Sequence, residues 1–308
     1  MRLSDDKNFP TRPQLWFLLV FIVLYGCRAS SAPPPEAARL DDPRPIAAVD
    51  SLWTEELTWM EVRDAIKSGK TTIIVGAGGT EQNGPYVATG KHNYVLEAVM
   101  PVIGKKLGNA LLAPIVRFVP EGDIERGSGD IRYPGTIGVE DSTFEALITD
   151  ICRSYKQHGF RDIVLIGDHG GNQLGMKAVA AQLNKKWVGS PTRVYFIPEY
   201  YDQDIWSFDY LKEIGVFQQP DVKSAVRSGI HDDYHYDAII ATVNPTYIRT
   251  EQRQNANLFS INGVDLHPLS KTVENGRKLI EYRATITADA IRKSIERTHR
   301  DPLGSKKS

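Results

Sequence analysis

Two apolar runs in this chain each end on a glycine and pass almost at once into a cluster of polar side chains. Thr72-Ile73-Ile74-Val75-Gly76 leads into Gly78-Gly79-Thr80-Glu81-Gln82-Asn83-Gly84-Pro85-Tyr86 and then Gly90-Lys91-His92-Asn93. Ile163-Val164-Leu165-Ile166-Gly167 leads into Asp168-His169-Gly170-Gly171-Asn172. An unbroken β-branched and aliphatic run, without polar alternation, reads as a strand buried on both faces. Such strands belong to parallel sheets covered by helices. In open sheets of that kind the chemistry gathers at the carboxyl ends of the strands. The pattern therefore predicts one site built from both clusters.

The intervening segments supply the helices. Thr58, with Glu61 three residues on, is a capping-box start for a short helix that Gly69 ends. Helical spacing follows over Asn93–Leu107, with Pro101 as an expected kink or break, and over Asp141–His158, Leu174–Trp187 and Thr272–Ile295. Further strands are predicted over Leu111–Val119, interrupted by Pro114, and over Arg193–Pro198. Ala238–Val243 continues a helical or turn pattern that Pro245 stops. Strands alternating with helices of this length predict a three-layer α/β/α sandwich with a mostly parallel sheet. No composition break divides the core, so residues 51–300 read as one domain, followed by a polar tail at 301–308.

With 41% hydrophobic and 24% charged residues and a formal charge of −1, the chain gives no reason to expect nucleic acid as a partner. Arg2, Lys7 and Arg12 precede the apolar stretch Leu15–Tyr25. At about 11 residues against the roughly 20 of a membrane span, this reads as the core of an export signal within residues 1–27. Leu24-Tyr25-Gly26-Cys27 is similar to a bacterial lipoprotein box, and Ala29–Ala32 offers an ordinary cleavage site, so lipid anchoring and plain secretion are both open, with an uncleaved anchor as a third reading. Export, periplasmic or lipid-anchored, is the expectation. Residues 28–50 are Pro- and Ala-rich and read as a tether. The chain has two cysteines, and Cys152 lies in an amphipathic helical pattern as a small buried hydrophobe.

Glu81 and His169 are the first candidates for metal ligation or acid–base work, because each follows a strand end among glycines. His92 precedes a helix, and Asp168 is placed to orient an imidazole. A third cluster, His231-Asp232-Asp233-Tyr234-His235-Tyr236-Asp237, is dense in a chain of seven histidines. Its alternative reading is a solvated loop at a helix start. The nucleophile elbow, the P-loop, the dinucleotide fingerprint and the His-Glu-x-x-His motif are all missing from the sequence.

Taken in order, Glu81-Gln82-Asn83-Gly84-Pro85-Tyr86, Gly90-Lys91-His92-Asn93, Tyr133-Pro134-Gly135-Thr136-Ile137 and Asp168-His169-Gly170-Gly171-Asn172 resemble the creatininase (creatinine amidohydrolase) family. The resemblance covers roughly residues 55–250. It implies an α/β/α fold, a pair of divalent metals (usually zinc or manganese), hydrolysis of cyclic or linear amides, and homo-oligomeric assembly. Carried over by position, Glu81 matches a metal-ligating glutamate and His169 a ligating histidine. The family's other histidine ligand falls on Asn83 and a further motif histidine on Tyr86. Its bridging aspartate falls on His92, and a later glutamate ligand on Gly171. A neutral amide suits a borderline-soft cation poorly, and an imidazole cannot bridge two cations. The expectation is therefore one divalent ion, zinc before manganese, held by Glu81, His92 and His169.

On that reading the chain is a metal-dependent amidohydrolase of a small-molecule amide, using a metal-activated water. His231 or Asp233 would pass a proton to the leaving nitrogen. Asn172 and the Gly170 and Gly171 amides would steady the oxyanion. Asn83, Tyr86 and Asp168 would line the substrate pocket, with further specificity from loops at Tyr200–Trp206 and Glu121–Arg132. The rival is an exported binding protein for a small polar ligand, catalytically degenerate through Asn83 and His92.

Overall fold

The structure is a computed structural model, and residues 39–202, 204–218 and 231–300 are described. Residues 1–43 and 44–308 are separate units by their internal contacts. Of the first, only a short turn is described, closed by the Asp42 amide donating to Arg39 O at 3.1 Å. The export signal at 1–27, the tether as far as residue 38 and the tail at 301–308 lie outside the described residues.

In the second unit a short 3-10 turn (Thr54–Glu56) precedes the first α-helix, α1 (Trp59–Lys67). Its capping box forms: the Glu61 amide donates to the Thr58 hydroxyl at 3.3 Å and the Thr58 amide to the Glu61 carboxylate at 2.7 Å. Strands β1 (Thr72–Ala77), β2 (Ala110–Leu112), β3 (Asp162–Gly167) and β4 (Arg193–Phe196) make one sheet in the order β2-β1-β3-β4, and every pairing is parallel. β1 and β3 are buried along their whole length.

The period-2 alternation of these strands divides the core into two. Ile74, Val164 and Ile166 face a layer made by α2 (Lys91–Leu107), α6 (Tyr234–Val243) and α8 (Leu269–Arg300), joined by Leu211 of α5 (Asp204–Glu213). Ile73, Val75, Ile163 and Leu165 face Phe144, Ile148 and Cys152 of α3 (Asp141–Gln157) and Met176 and Val179 of α4 (Asn172–Lys186). α1 lies on that second core through Val62 and Ile66. The three-layer sandwich read from the sequence is the observed architecture. A short helix α7 (Thr250–Asn255) and a two-stranded ribbon, β5 (Ser260–Ile261) and β6 (Val264–Asp265), complete the second unit.

Three elements differ from expectation. Pro101 does not break α2, because Leu96, Val99, Met100 and Ile103 are fully buried around it and hold the helix together. The strand expected over 111–119 shortens to β2, since Pro114 has no N–H to give the ladder. Beyond it the chain rejoins β1 through Val116, whose amide donates to Gly76 O at 2.9 Å. The helix expected from Ala238 starts earlier, at Tyr234. α8 lies along α2 and α6. Its approach to α6 is close enough that a β-carbon at Gly276 would stand 1.9 Å from Ala238 O.

Candidate metal centre

β1 and β3 are neighbours in register, with Ala77 opposite Gly167, so the residues that follow them emerge side by side. α2 leaves β1 toward one face and α4 leaves β3 toward the other. This opens the crevice between the two strands at their carboxyl ends. Two buried amides fix the loop after β1. Asn172 donates to Ala77 O and Gly78 O, both at 2.8 Å. Asn93 accepts from the Gly79 amide at 3.2 Å and donates to Gly79 O at 2.8 Å. Gly78 has to be glycine here, because a β-carbon would lie 2.2 Å from the Asn93 oxygen. The Pro-Gly-Thr-Ile element clamps the same loop: the Ile137 amide donates to Thr80 O at 2.9 Å and the Gln82 amide to the Thr136 hydroxyl at 3.0 Å.

That loop carries Glu81 into the crevice with 1% exposure. Glu81, His92 and His169 each offer a donor atom within 4.8 Å of the others. Glu81 Oε1 lies 2.8 Å from His92 Nε2, and Glu81 Oε2 lies 3.3 Å from His169 Nε2. The His92 and His169 rings meet edge to face at 5.1 Å. His92 Nδ1 is 2.7 Å from Asp168 Oδ1. Asp168 in turn accepts from Tyr200 Oη at 2.7 Å and pairs with Arg283 Nη2 at 3.2 Å.

Four buried participants were not assigned to the metal site from the sequence, although Tyr200 and Glu121 begin loops expected to set specificity. Lys91 is 3% exposed, with its ammonium 3.4 Å from Glu81 Oε1 and donating to His231 O at 2.9 Å. Tyr200 and Arg283 support Asp168, and no local pattern in the sequence points from α8 to a residue so far back in the chain. Glu121 is 4% exposed, with Oε2 3.2 Å from His169 Nε2. Glu121 did carry a signal: it follows Val119-Pro120 at the end of the apolar run from Leu111, the same position that singled out Glu81 and His169.

The other candidates are placed as follows. His231 stands at the rim, with Nδ1 3.5 Å from Glu81 Oε1. Glu81, Asp130 and His231 form a second group of donors within 4.8 Å of one another. Asp233 accepts from Gln218 Nε2 at 2.7 Å and from Asn262 Nδ2, so it supports the turn into α6. Asn172 spends both amide hydrogens on the β1 loop, and the Gly171 amide donates to His169 Nδ1 at 3.2 Å. Asn83 donates to Glu81 O at 2.9 Å and to Ala88 O at 3.3 Å, holding the loop's shape. Tyr86 lies over the Arg253 guanidinium at 4.8 Å. Arg253 itself pairs with the buried Asp237 at 2.9 Å. Gly170 faces the Tyr201 hydroxyl, 2.9 Å from where a β-carbon would stand.

Burial and close charges perturb the titratable groups of the crevice strongly. Burial would raise the Glu81 carboxyl, but the neighbouring His169, His231 and His92 imidazoles and the Lys91 charge hold it far below the ordinary carboxylate range. Burial and Lys91 oppose a proton on His92, yet the Asp168 and Glu81 contacts prevail and raise it. Burial pushes His169 down. Glu121 is pushed up to about 9, first by burial and then by the Glu81 charge. Glu81 Oε2 and both Glu121 oxygens are buried with no aligned hydrogen-bond donor. Buried carboxylate oxygens left in that state are costly. A divalent ion among them would satisfy them, and one carboxylate with two imidazoles is a donor set that suits catalytic zinc. The residues present fit the ion that the sequence suggested.

Comparison with known proteins bears on the family and the fold. The sequence pattern of the family described as creatinine amidohydrolase matches residues 55–291. Creatinine amidohydrolase of Pseudomonas putida is 27% identical over 124 residues, which is 40% of this chain and 47% of that one. The mycofactocin precursor peptide peptidase of Mycolicibacterium smegmatis is 28% identical over 116 residues, 36% of this chain and 44% of that one. The chain thus matches about half the length of these curated relatives. A manganese creatininase structure superposes with a TM-score of 0.58 at 21% identity, covering 79% of this chain and 98% of that chain, which shows the shared fold. By its matched pattern and its architecture, the chain belongs to the creatinine amidohydrolase family.

Proposed function

We propose that the protein is a metal-dependent hydrolase of a small non-peptide amide, cyclic or linear. The observation that carries the reading is the convergence of Glu81, His92 and His169 at the ends of two adjacent parallel strands, with Asp168 behind His92. These three side chains would hold one divalent ion, zinc or manganese. When bound, such an ion polarises the amide carbonyl and lowers the pKa of a coordinated water from ~16 towards ~7.

The chain's own residues do the rest. Asp168 keeps the proton of His92 on Nδ1, which turns Nε2 toward Glu81. Lys91 offsets the Glu81 charge and fixes the backbone of His231. His231, with its side chain 27% exposed, is the imidazole at the rim that can hand a proton to the leaving nitrogen. Cys152 takes no part: it is buried in α3, and burial pushes its thiol up to about 12.

Metal analysis of the purified protein, followed by turnover of a panel of lactams, cyclic ureides and linear amides, tests the reading. Close to one equivalent of metal and metal-dependent release of amine support it. Less than about 0.2 equivalents, with no rescue by zinc or manganese, sinks it. A panel member that raises the melting temperature yet is recovered unchanged would instead establish a binding protein. Export through residues 1–27 and homo-oligomeric assembly belong to the same proposal. The mass of the mature N-terminus and light scattering of the purified protein check them.

A further inference from the structure

We infer that Glu121 is a further ligand of the ion held by Glu81, His92 and His169, delivered from the segment that continues β2. The inference rests on the proposed metal-dependent reading and deepens it. Glu121 sits in a cradle that only small residues allow. A β-carbon at Gly79 would lie 2.6 Å from Glu121 Oε1, and one at Gly171 would lie 2.4 Å from Pro120 O. A β-carbon at Gly138 would press on Glu121 Cβ at 3.3 Å. The backbone is held as well: Glu121 O accepts from the Asp130 amide at 3.2 Å, and Val119 pairs with the segment at Gly138–Val139. The carboxylate is therefore inserted by construction, and the glycines around it leave no room for another side chain.

Among the described residues, the contact that insertion gains is with the His169 imidazole. Neither oxygen of Glu121 has an aligned hydrogen-bond donor. Its Oε2 is 3.2 Å from His169 Nε2, the nitrogen that Glu81 Oε2 also approaches, at 3.3 Å. Two buried carboxylates facing one imidazole nitrogen give a single proton two acceptors. Turned outward, Glu121 would be hydrated at no cost. A divalent cation in place of that proton satisfies both carboxylates. Two carboxylates and two imidazoles would then surround the ion with net charge zero.

The test compares full-length wild type with Glu121→Gln, which keeps the shape and removes the charge. Zinc and manganese affinities are measured by competition with a chromophoric chelator, and melting temperatures are taken with and without each ion. For Glu121→Gln we expect affinity weaker by at least about tenfold, a metal-free melting temperature above that of wild type, and a smaller gain on adding the ion. The rise without metal is the outcome a purely structural glutamate would not give. Wild type that takes up neither ion sinks the proposed function itself. Wild type that binds while Glu121→Gln binds within twofold overturns only the Glu121 assignment, leaving it a carboxyl that shares a proton with Glu81. Should Glu121→Gln fail to fold, anomalous diffraction from zinc-loaded wild-type crystals decides. A Glu121 oxygen at about 2.0–2.2 Å from the ion supports the inference, and one beyond about 3 Å overturns it.

Discussion

The Nδ1 of His92 lies 2.7 Å from Asp168 Oδ1, with both residues buried. A ring pinned at one nitrogen presents the other in a fixed direction, here toward Glu81. The pin is itself braced, because Tyr200 and Arg283 occupy the second oxygen of Asp168. Asp168→Asn keeps the size of the side chain and removes its charge. Ion affinity in this variant should fall by about 10–100-fold while the far-ultraviolet dichroism stays that of wild type. An unchanged affinity in a chelator competition would mean that Asp168 does not orient the ligand.

Lys91 should act in the opposite sense on affinity. Its ammonium is a buried positive charge 3.4 Å from Glu81 Oε1, where it competes with any cation for the same oxygen. Lys91→Met should bind zinc or manganese at least about tenfold more tightly. The metal-free protein should melt lower, since Glu81 loses its compensating charge. Turnover should drop as well, because His231 O loses the donor that fixes it. Weaker ion binding in Lys91→Met would contradict this electrostatic account.

Gly276 marks a close approach of α8 to the backbone of α6. In Gly276→Ala the new methyl meets Ala238 O, so α8 and α6 have to separate. The expected loss is about 1–3 kcal/mol in urea unfolding, the usual cost of overpacking. Because α6 follows directly on His231, turnover should fall further than the loss of folded protein explains. A variant as stable as wild type would show that the two helices slide without strain.

Cys152 gives a pH dependence away from the site. Burial raises its thiol to about 12, whereas an unfolded thiol titrates near roughly 8.5. The folded state therefore holds this proton more tightly than the unfolded state. The stability it contributes is complete below roughly pH 8.5 and is lost as pH rises toward 12, at about 1.4 kcal/mol per pH unit. Other groups titrate in the same range, so the measurement is the difference between wild type and Cys152→Ala. The two unfolding curves should converge as pH increases, and parallel curves would refute the assignment.

The architecture was largely legible because β1 and β3 are apolar on both faces, a pattern that only a covered parallel sheet satisfies. Glu81, His92, His169 and Asp168 were legible because they follow those strands or open the next helix. What stayed hidden depends on contacts between distant segments. Arg283 sits on one face of a long amphipathic helix and looks like any solvated arginine until α8 is laid against α2. Lys91 looks like an exposed helix start, yet Glu81, His231 and Tyr236 enclose it. Pro101 reads as a helix breaker because the sequence shows the missing N–H and not the buried aliphatics that offset it. Asn172 looks like a donor aimed at substrate until the carbonyls of Ala77 and Gly78 are found to take both of its hydrogens.

The contact between Arg283 and Asp168 bears on how the protein matures. Glu81, His92 and His169 leave the ribosome long before the segment that carries Arg283. Until that segment arrives, Asp168 is a carboxylate whose counter-charge has yet to be synthesised, and the imidazole it steers is free to turn. The brace on His92 is therefore complete only once α8 has been made. A divalent ion taken up before α8 docks would meet a His92 ring that Asp168 does not yet hold in place.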